Sequence, residues 1–379
     1  MKITIFGLTL SSSWGNGHAT PYRAIIRALH RMGHHVTFYE KDVDYYRAHR
    51  DFSSCDYCDL VLYPDWDSVR SFALAEAAEA DVVLVGSYCP EGARINDDLL
   101  ELRGPMRAFY DLDTPITLAN LCYGSIEYLR RDQMREFDLY LSFTGGSILD
   151  TLETDYEVRL ARALYGCVDS DLHARVAPQS AFACDLSYMG THAPDRQEKL
   201  ERLFVAPAQR LPGRSFLLAG SLYPRNWSWP TNVRKLEHIP PDQHASLYSS
   251  SRLTLNITRN GMARTGYCPS GRFFEAAACG TPIVTDWFEG LDAFFVPGDE
   301  VFVANSTDDV VSAVLTYDQD LRAMAGRARE RALSEHTGDC RARELLRCLE
   351  DARWPALNRA RVERGASQRS GPGTLEVAS

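Results

Sequence analysis

The chain has 379 residues, of which 45% are hydrophobic and 24% are charged, and its formal net charge is −10 at pH 7. This length and composition are typical of a globular protein with two domains of ordinary size. An acidic surface repels nucleic-acid phosphates and anionic membranes, so we expect neither to be the main partner. A small anionic substrate is not excluded, because it needs only one local site of positive charge.

The start of the chain and its cysteines favour a cytoplasmic location. Residues 1–7 are too short and too strand-like for a secretion signal, and no run of about 18 apolar residues predicts a membrane span. Ten cysteines are scattered along the chain, as is typical of reduced cytoplasmic thiols. Cys55 and Cys58 form a lone C-x-x-C pair with no second pair at zinc-finger spacing, so we expect no metal there.

Short apolar runs alternate with helical patterns in the first half of the chain. Strand candidates occupy residues 3–6, 36–39, 60–63, 82–85, 116–118 and 139–143. A helix is predicted over residues 21–32, where four apolar side chains line one face: Ile25, Ile26, Leu29 and Met32. Strands that alternate with helices predict a parallel sheet with right-handed crossovers.

The alternation restarts in the second half, with strand candidates at residues 216–219, 253–257, 283–285 and 301–303. The region around 167–190 is expected to cross between two domains. We therefore predict an α/β fold with two Rossmann-like parallel-sheet domains facing a central cleft, the first over residues 1–170 and the second over 171–350. Residues 355–379 are poor in apolar side chains and predict a disordered tail.

One segment of the second half combines a glycine loop, a short helix and an apolar strand. It spans residues 266–284 and reads GYCPSGRFFEAAACGTPIV. A loop that leads into a helix N-terminus presents unpaired N–H groups and the positive end of the helix dipole, which suits a diphosphate. Glu275, one turn further on, could accept hydrogen bonds from a ribose diol. The segment therefore predicts a nucleotide-diphosphate site.

This segment resembles the donor-binding signature of two-domain glycosyltransferases, in the form found in CgeB-like (spore maturation) proteins. The resemblance extends to about residue 345, and the run DWFEGLD at residues 286–292 is typical of the CgeB-like branch. It implies a glycosyltransferase, a hexosyltransferase in particular, of GT-B architecture. It also implies a nucleotide-diphosphate sugar as co-substrate, with no metal and no other cofactor. The first domain would then bind the acceptor and the second the donor.

By motif position, the resemblance implies a role for several residues at the donor. Glu275 would hold the ribose, and Arg259 and Arg272 would neutralise the leaving diphosphate through charged hydrogen bonds. The whole implied set is Gly220, Ser221, Arg259, Tyr267, Ser270, Gly271, Arg272 and Glu275. Many retaining members carry a second glutamate where this chain has Tyr267. The stereochemistry of transfer is therefore open.

The loop after the first strand resembles the first loop of the same glycosyltransferases. It contains Gly15, Asn16, Gly17 and His18, and in many inverting members the histidine deprotonates the acceptor hydroxyl. A helix dipole disfavours the imidazolium at this position, which keeps a neutral base. The alternative is a histidine that only braces the loop. Thr144 and Gly145, which follow another strand candidate, are expected to line the same cleft.

Two further features of the first half leave alternatives open. Gly15-x-Gly17 with Glu40 at the end of the second strand is partly compatible with a dinucleotide site, although the loop is long and lacks a third glycine. Asp111 and Asp113 form an Asp-x-Asp pair, which a metal could bind. We favour a role for both in the cleft, orienting the acceptor or His18, so the predicted catalytic set is His18, Asp111 and Asp113.

Two other classes of protein share the predicted donor site. One is a non-catalytic protein that binds nucleotide sugars, and the other is a sugar-nucleotide epimerase of the same architecture. An epimerase needs no acceptor, so product analysis separates it from a transferase. The expected partners of a transferase are the nucleotide sugar and a small-molecule or glycan acceptor.

Overall fold

The computed structural model describes residues 1–15, 17–52, 54–124 and 126–367. The first domain is built on a seven-stranded sheet in the order β3-β2-β1-β4-β5-β6-β7, in which every neighbouring pair is parallel. Its strands are β1 (Lys2–Gly7), β2 (His35–Lys41), β3 (Asp59–Tyr63), β4 (Val82–Gly86), β5 (Met106–Asp111), β6 (Leu139–Ser142) and β7 (Ala161–Ala163). Its helices are α1 (Ala19–Arg31), α2 (Asp44–Arg47), α3 (Trp66–Ala78), α4 (Gly92–Leu100), α5 (Thr114–Tyr123), α6 (Arg131–Met134) and α7 (Ile148–Asp155).

The second domain has a six-stranded parallel sheet in the order β10-β9-β8-β11-β12-β13. Its strands are β8 (Cys184–Met189), β9 (Phe216–Ala219), β10 (Val233–Leu236), β11 (Ser251–Asn256), β12 (Ile283–Thr285) and β13 (Phe302–Val303). The helices that follow in chain order are α8 (Gln197–Leu200), α9 (Ala206–Arg210), α10 (His244–Ser250), α11 (Asn260–Thr265), α12 (Gly271–Ala278), α13 (Thr307–Leu315), α14 (Asp318–Glu335) and α15 (Gly338–Ser367). A π-helical turn (Glu201–Val205) joins α8 to α9, and short 3-10 turns lie at Pro194–Arg196, Pro241–Gln243 and Leu291–Ala293.

The predicted α/β architecture with two parallel sheets is confirmed, but one strand candidate was wrong and four strands, β5, β7, β8 and β10, were missed. The apolar run 116–118 lies in α5, which begins at Thr114 with a proline in its first turn, and the true strand β5 comes just before it. Strand β8 falls inside the region expected to be a crossing. Its sequence CDLSYM alternates Asp185 and Ser187 with apolar residues, whereas the strand candidates were short continuous apolar runs, so this central strand of the second sheet was missed.

The last helix, α15, returns from the second domain to pack on the first. Ala342, Leu345 and Leu349 belong to the same buried cluster as Ile25 and Leu29 of α1. The predicted boundary, which assigned residues 171–350 to the second domain, did not anticipate this return. The predicted tail of 355–379 begins within α15, and its residues 368–379 lie outside the described part of the chain.

Two crossings of the chain between the domains lie side by side. The backbone N–H of Val168 donates to the carbonyl of His336 at 2.9 Å, and Gly338 N–H donates to the carbonyl of Val168 at 3.0 Å. A Cβ atom at Gly338 would lie 2.5 Å from the carbonyl oxygen of Ala24, so only glycine lets α15 approach α1 this closely. The paired crossings therefore fix where α15 meets the first domain.

The connections that line the space between the domains all start at the carboxyl ends of strands. In the first domain they follow β1, β2, β4, β5, β6 and β7, and in the second they follow β8, β9, β10 and β11. This is the edge at which parallel α/β sheets bind ligands. Among the described residues, no helix has the length and apolar content needed to cross a membrane.

We predict that α15 stabilises the first domain as part of its core. Leu345 is 3% exposed, so Leu345→Ala should lower the free energy of unfolding of that domain by about 2–5 kcal/mol, the usual effect of a leucine-sized cavity. Urea unfolding followed by fluorescence measures this loss. Leu315→Ala is the matched control, because Leu315 is 54% exposed and its loss should change stability by about 0.5 kcal/mol or less. Equal effects of the two substitutions would contradict a core role for α15.

Candidate active site

A cleft of about 600 Å³ lies between the two domains and receives residues from both. Gly15, Gly17, His18 and Asp113 line it on the side of the first domain. On the side of the second domain it is lined by seven of the eight predicted donor residues: Gly220, Ser221, Arg259, Ser270, Gly271, Arg272 and Glu275. Asn16 lies outside the described residues. Most of the site predicted from sequence is therefore brought together.

His18 and Asp113 form a pair at the first-domain wall of the cleft. His18 precedes α1, is 8% exposed, and its Nε2 lies 3.5 Å from Oδ2 of Asp113. The ring of Tyr88 meets the imidazole edge-on with a centroid distance of 5.3 Å. Tyr88 has a φ of 60°, a left-handed conformation that is strained for a tyrosine and that often occurs at functional sites. Sequence analysis missed Tyr88, because this strain becomes visible only in the structure.

Asp111 does not reach the cleft, although it was predicted to be catalytic. It is fully buried at the end of β5, where its carboxylate accepts hydrogen bonds from Tyr140 Oη and Thr117 Oγ1, both at 2.8 Å, and from the backbone N–H of Asp113 at 3.1 Å. Burial raises the pKa of Asp111 to about 6, against the opposing effect of these hydrogen bonds. Asp111 therefore fixes the turn that presents Asp113 to the cleft.

Thr144, Gly145 and Tyr267 lie at the domain junction, which we define as residues 143–146 packed on 266–268 and 289–290. Thr144 Oγ1 donates to Sγ of Cys268 at 3.2 Å, and Gly145 N–H donates to the carbonyl of Tyr267 at 3.0 Å. The Tyr267 ring packs against Gly146 and a second glycine at position 290, where any Cβ would collide with it. The predictions that Thr144 and Gly145 line the cleft and that Tyr267 contacts the donor are thus corrected, because all three hold the domains together.

Glu40 cannot take the role that a dinucleotide site would require of it. It is completely buried, and its carboxylate accepts hydrogen bonds from Thr9 Oγ1, from the backbone N–H groups of Leu10 and Ser11, and from Ser11 Oγ. These four donors occupy both oxygens and organise the long loop after β1. The Glu40 carboxylate therefore has no oxygen left for a ribose, and the dinucleotide alternative does not fit this structure.

The start of α12 provides the anion-binding part of the second-domain wall. Ser270 is the N-cap of this helix and Gly271 its first residue, and both line the cleft. The first N–H groups of a helix have no partner within it, and the helix dipole adds positive potential at this end. At Gly220 a Cβ would overlap the carbonyl of Gly190, so glycine allows two strand ends to meet beside the same space.

Three guanidinium groups line this wall, of which Arg196 was missed by sequence analysis. Arg272 donates from Nη1 to the carbonyl of Met189 and from Nε to Ser270 Oγ at 3.1 Å. Arg259 pairs with Asp195 at 3.1 Å and stays 39% exposed. Among the described residues Arg196 has no carboxylate partner, and burial together with the charge of Arg272 lowers its pKa. Asp195 pairs with Arg259 and the buried Glu275 lies beside Arg272, so the charge of Arg196 is the one that no carboxylate of the described residues offsets, and the wall favours a bound anion.

Glu275 lies deeper in the same wall, between two histidines that sequence analysis also missed. Its Oε2 is 3.5 Å from Nδ1 of His244 and 3.9 Å from Nε2 of His173. Burial opposes ionisation of Glu275, yet His173 and His244, with Arg272, hold its pKa at about 2. The carboxylate is therefore negatively charged at neutral pH.

Among the described residues, His173, His244 and Glu275 are also a group whose side chains could bind a metal ion, because their ligand atoms lie within 4.8 Å of one another. Two ligands at ~2.0–2.1 Å from a tetrahedral zinc ion are only about 3.4 Å apart. The distances of 3.5 and 3.9 Å from Glu275 to His244 and His173 lie at and somewhat above that separation, and the charge of Arg272 beside Glu275 disfavours a bound cation.

Residues 196–347 match the sequence model of a family described as glycosyl transferase-like. The matched segment contains α12 and all three arginines of the second-domain wall. No curated protein sequence matches the chain significantly.

More than nine tenths of the chain resembles each of several solved structures. Sucrose-phosphate synthase from Thermosynechococcus elongatus has a TM-score of 0.66 at 13% identity, over 92% of this chain and 98% of that one. An alpha-glucosyltransferase in complex with UDP and a 13-mer DNA has a TM-score of 0.68 at 14% identity, over 92% and 99%. HepE from Anabaena in complex with UDP-glucose has a TM-score of 0.61 at 15% identity, over 93% and 100%. At these identities the comparison establishes the fold, which is GT-B.

We predict that the buried Asp111 makes stability depend on pH. Its folded-state pKa of about 6 lies above the ordinary value of 3.8, so its contribution is most favourable below about pH 4 and declines as the pH rises through 6. The total change is at most about 3 kcal/mol, from ~1.4 kcal/mol per pKa unit. Urea unfolding of the wild type and Asp111→Asn between pH 4 and 7 should give curves that diverge by this pH-dependent amount. Parallel curves would show that Asp111 keeps an ordinary pKa.

Proposed function

We propose that the protein is a glycosyltransferase that moves a hexose from a nucleotide-diphosphate sugar to an acceptor hydroxyl, without a metal ion. One observation carries this proposal: an anion-binding wall faces a histidine–aspartate pair across a single cleft. The glycosyl transferase-like match of residues 196–347 supports the donor half. The DWFEGLD run at residues 286–292 supports membership of the CgeB-like branch.

The donor wall is suited to a diphosphate that leaves during the reaction. Arg196, Arg259 and Arg272 would neutralise the charge that grows on the diphosphate as its bond to the sugar breaks. The N-terminus of α12 adds backbone N–H donors at Gly271. This arrangement supplies the positive charge that a divalent cation would otherwise provide, which is the reason for proposing metal independence.

The opposite wall is suited to activating the acceptor. The His18 imidazole would take the proton of the acceptor hydroxyl as its oxygen bonds to the anomeric carbon of the sugar. Asp113, 3.5 Å from Nε2, would stabilise the resulting imidazolium. The buried Glu40 holds residues 9–11 at the start of the loop that leads to His18, and the hydrogen bond from the backbone N–H of Asp113 to Asp111 holds the turn at Asp113.

We propose that the acceptor is a small molecule or a glycan and that the protein is cytoplasmic. The alpha-glucosyltransferase with a similar fold was solved with DNA. Here the net charge of −10 disfavours a polyanionic acceptor. The cationic groups of the cleft lie on the donor wall, where a diphosphate would neutralise them.

Transfer should occur in the presence of EDTA. The protein is incubated with UDP-, GDP- and ADP-hexoses and a panel of sugar and phenol acceptors, and products are identified by mass spectrometry. Arg196→Gln should weaken binding of the corresponding nucleoside diphosphate roughly 10- to 100-fold, the scale of a lost hydrogen bond between charged groups. Arg202→Gln is the matched control, because Arg202 pairs with Glu198 at the surface, away from the cleft.

Other outcomes point to other functions. A changed sugar without any acceptor identifies an epimerase, and tight nucleotide-sugar binding without turnover identifies a binding protein. Turnover that stops with EDTA and returns with Mn²⁺ contradicts metal independence.

His18→Ala should lower kcat by ~10²–10⁴-fold, the usual contribution of a positioned base. The dissociation constant of the donor should change little, because the donor wall belongs to the other domain. His18→Gln serves as the control for a bracing role, since glutamine retains hydrogen bonding but is not a base. Recovery of turnover in His18→Gln, measured with calorimetric donor binding in parallel, would remove His18 as the base.

A further inference from the structure

Cys55 and Cys58 form a pair of thiols that the proposed function does not use. They lie between α2 and β3, and their Sγ atoms are 2.9 Å apart. Both are partly exposed, whereas six of the ten cysteines are buried. Among the described residues, no hydrogen bond joins any other two thiols. The chain therefore has one accessible pair of thiols in direct contact.

The local structure of this pair suits a disulfide. The two sulfur atoms of a disulfide are about 2.0 Å apart, so oxidation needs a movement of only about 0.9 Å. Tyr57, between the two cysteines, is buried, and the guanidinium of Arg27 in α1 lies over its ring at 4.8 Å. This contact holds the connection between Cys55 and Cys58 against α1, so the two thiols stay next to each other.

The same pair is poorly suited to a metal ion. Structural zinc sites take four ligands, and catalytic ones take three from the protein. Among the described residues, the group of three or more histidine, cysteine or acidic side chains at ligand spacing is His173, His244 and Glu275, and it contains neither thiol. Cys55 and Cys58 thus lack a third ligand in the described part of the chain.

The surroundings of Cys58 disfavour its thiolate. Burial, the hydrogen bond with Cys55, and the negative charges of Asp59 and Asp56 raise the pKa of the Cys58 thiol. Proteins that catalyse disulfide exchange instead stabilise a thiolate, which makes their disulfides strong oxidants. A disulfide at this pair would therefore modify this chain itself rather than oxidise other proteins.

A continuous set of contacts joins the thiol pair to the cleft. The ring of Tyr57 lies 6.0 Å from the ring of Phe52, and the guanidinium of Arg23 in α1 lies over Phe52 at 5.0 Å. Arg23 also pairs with Asp51. The Asp51 carboxylate accepts hydrogen bonds from Ser13 Oγ and, at 3.3 Å, from Ser13 N–H. Because Ser13 lines the cleft, a restraint at the thiols reaches the first-domain wall.

We propose that Cys55 and Cys58 form a reversible disulfide by exchange with a small-molecule disulfide, and that this bond restricts the first-domain wall of the cleft. The Cys55 thiolate attacks one sulfur of the small molecule and releases its other half as a thiolate. The Cys58 thiolate then attacks the Cys55 sulfur and releases the second half. The two released thiolates take up the protons that the cysteines lost, so one disulfide is reduced as the other forms. The inference is independent of the proposed function.

Glutathione disulfide is the probe, applied to the full chain before tryptic digestion and mass spectrometry without reductant. Residues 51–70 form one tryptic peptide, and its only cysteines are Cys55 and Cys58. In the wild type this peptide should lose two hydrogen atoms and regain them with dithiothreitol. The peptide of residues 108–130 contains the exposed Cys122 alone and is the internal control, which should stop at the glutathione adduct.

Two single variants test the order of the steps. Cys58→Ser should accumulate the glutathione adduct on Cys55, because the second attack is missing. Cys55→Ser should form its adduct at least about tenfold more slowly, since each unit of raised pKa lowers the thiolate fraction about tenfold. Burial, the largest cause of the raised pKa of Cys58, remains in this variant. If a serine variant does not fold, as judged by thermal unfolding, the alanine variant replaces it.

Hydrogen exchange of the oxidised and reduced wild type tests the link to the cleft. Closing a loop of four residues should slow exchange at residues 54–59 by up to about 20-fold, the effect expected from loop-closure entropy. Residues 11–13 should also exchange more slowly, by a smaller factor. The double variant Cys55→Ser/Cys58→Ser, treated in the same way, should show neither change.

A wild-type peptide that keeps both thiols, or that carries only glutathione adducts, would overturn the inference. So would Zn²⁺ that binds the wild type and is lost from Cys58→Ser, since the pair would then belong to a metal site. Slower exchange at residues 54–59 without any change at residues 11–13 would contradict the link to the cleft. These outcomes are measured without nucleotide-sugar turnover, so they are distinct from a failure of the proposed function.

Discussion

Every loop that reaches the cleft leaves the carboxyl end of a parallel strand, and this constraint organises the whole protein. Parallel strands need long crossovers, so each loop at that edge is free to carry side chains. Two such sheets placed edge to edge bring His18 and Glu275, 257 positions apart in sequence, to one space. His18 and Asp113 come from the first domain, whereas the arginines of the cleft and Glu275 come from the second, so the cleft has both sets of groups only where the edges meet.

The two walls of the cleft differ in how far their charged side chains are paired with partners inside the protein. On the first-domain side, carboxylates such as Glu40 and Asp111 are satisfied by hydrogen bonds from their own loops and have a structural role. On the second-domain side, Arg196 remains without a carboxylate partner among the described residues. An unbalanced buried charge is unfavourable in the free protein and becomes favourable when an anion arrives. The donor wall is thus preorganised for an anion before one binds.

Sequence predicted the parts of the site that depend on local pattern. The motif around Gly271 and Glu275 is one continuous segment, and so is the loop that contains His18. In each of them the spacing of residues already indicates a helix N-terminus with a polar group beside it. His173 could not be found in this way, because its role depends on a contact with a residue about a hundred positions later. Asp111 and Asp113 look equivalent in sequence. The structure gives them different surroundings because β5 ends at Asp111. Asp111 is therefore buried in the core, whereas Asp113 lies in the turn that follows.

The errors in strand assignment have the same physical origin. An apolar run of three residues fits a strand and a helix face equally well, as at residues 116–118, until the proline of the first helical turn is given weight. Polar residues within a buried strand, as in β8, are tolerated where a neighbouring strand offers a partner. Ser187 Oγ lies 2.9 Å from Oγ1 of Thr254 in β11. Such pairs depend on the register of the sheet, which a single sequence does not reveal.

The hydrogen-bonded crossings at Val168 and Gly338 also have a mechanical consequence. A domain joined by one linker can rotate in many directions. Two adjacent crossings joined to each other by backbone hydrogen bonds can instead act as a hinge. Once the contacts of the domain junction open, we expect the two sheets to move mainly by rotation about a line through this pair. Since His173 lies only five residues beyond Val168 and 3.9 Å from Glu275, this pair of crossings and the second-domain wall of the cleft are joined by one short stretch of chain.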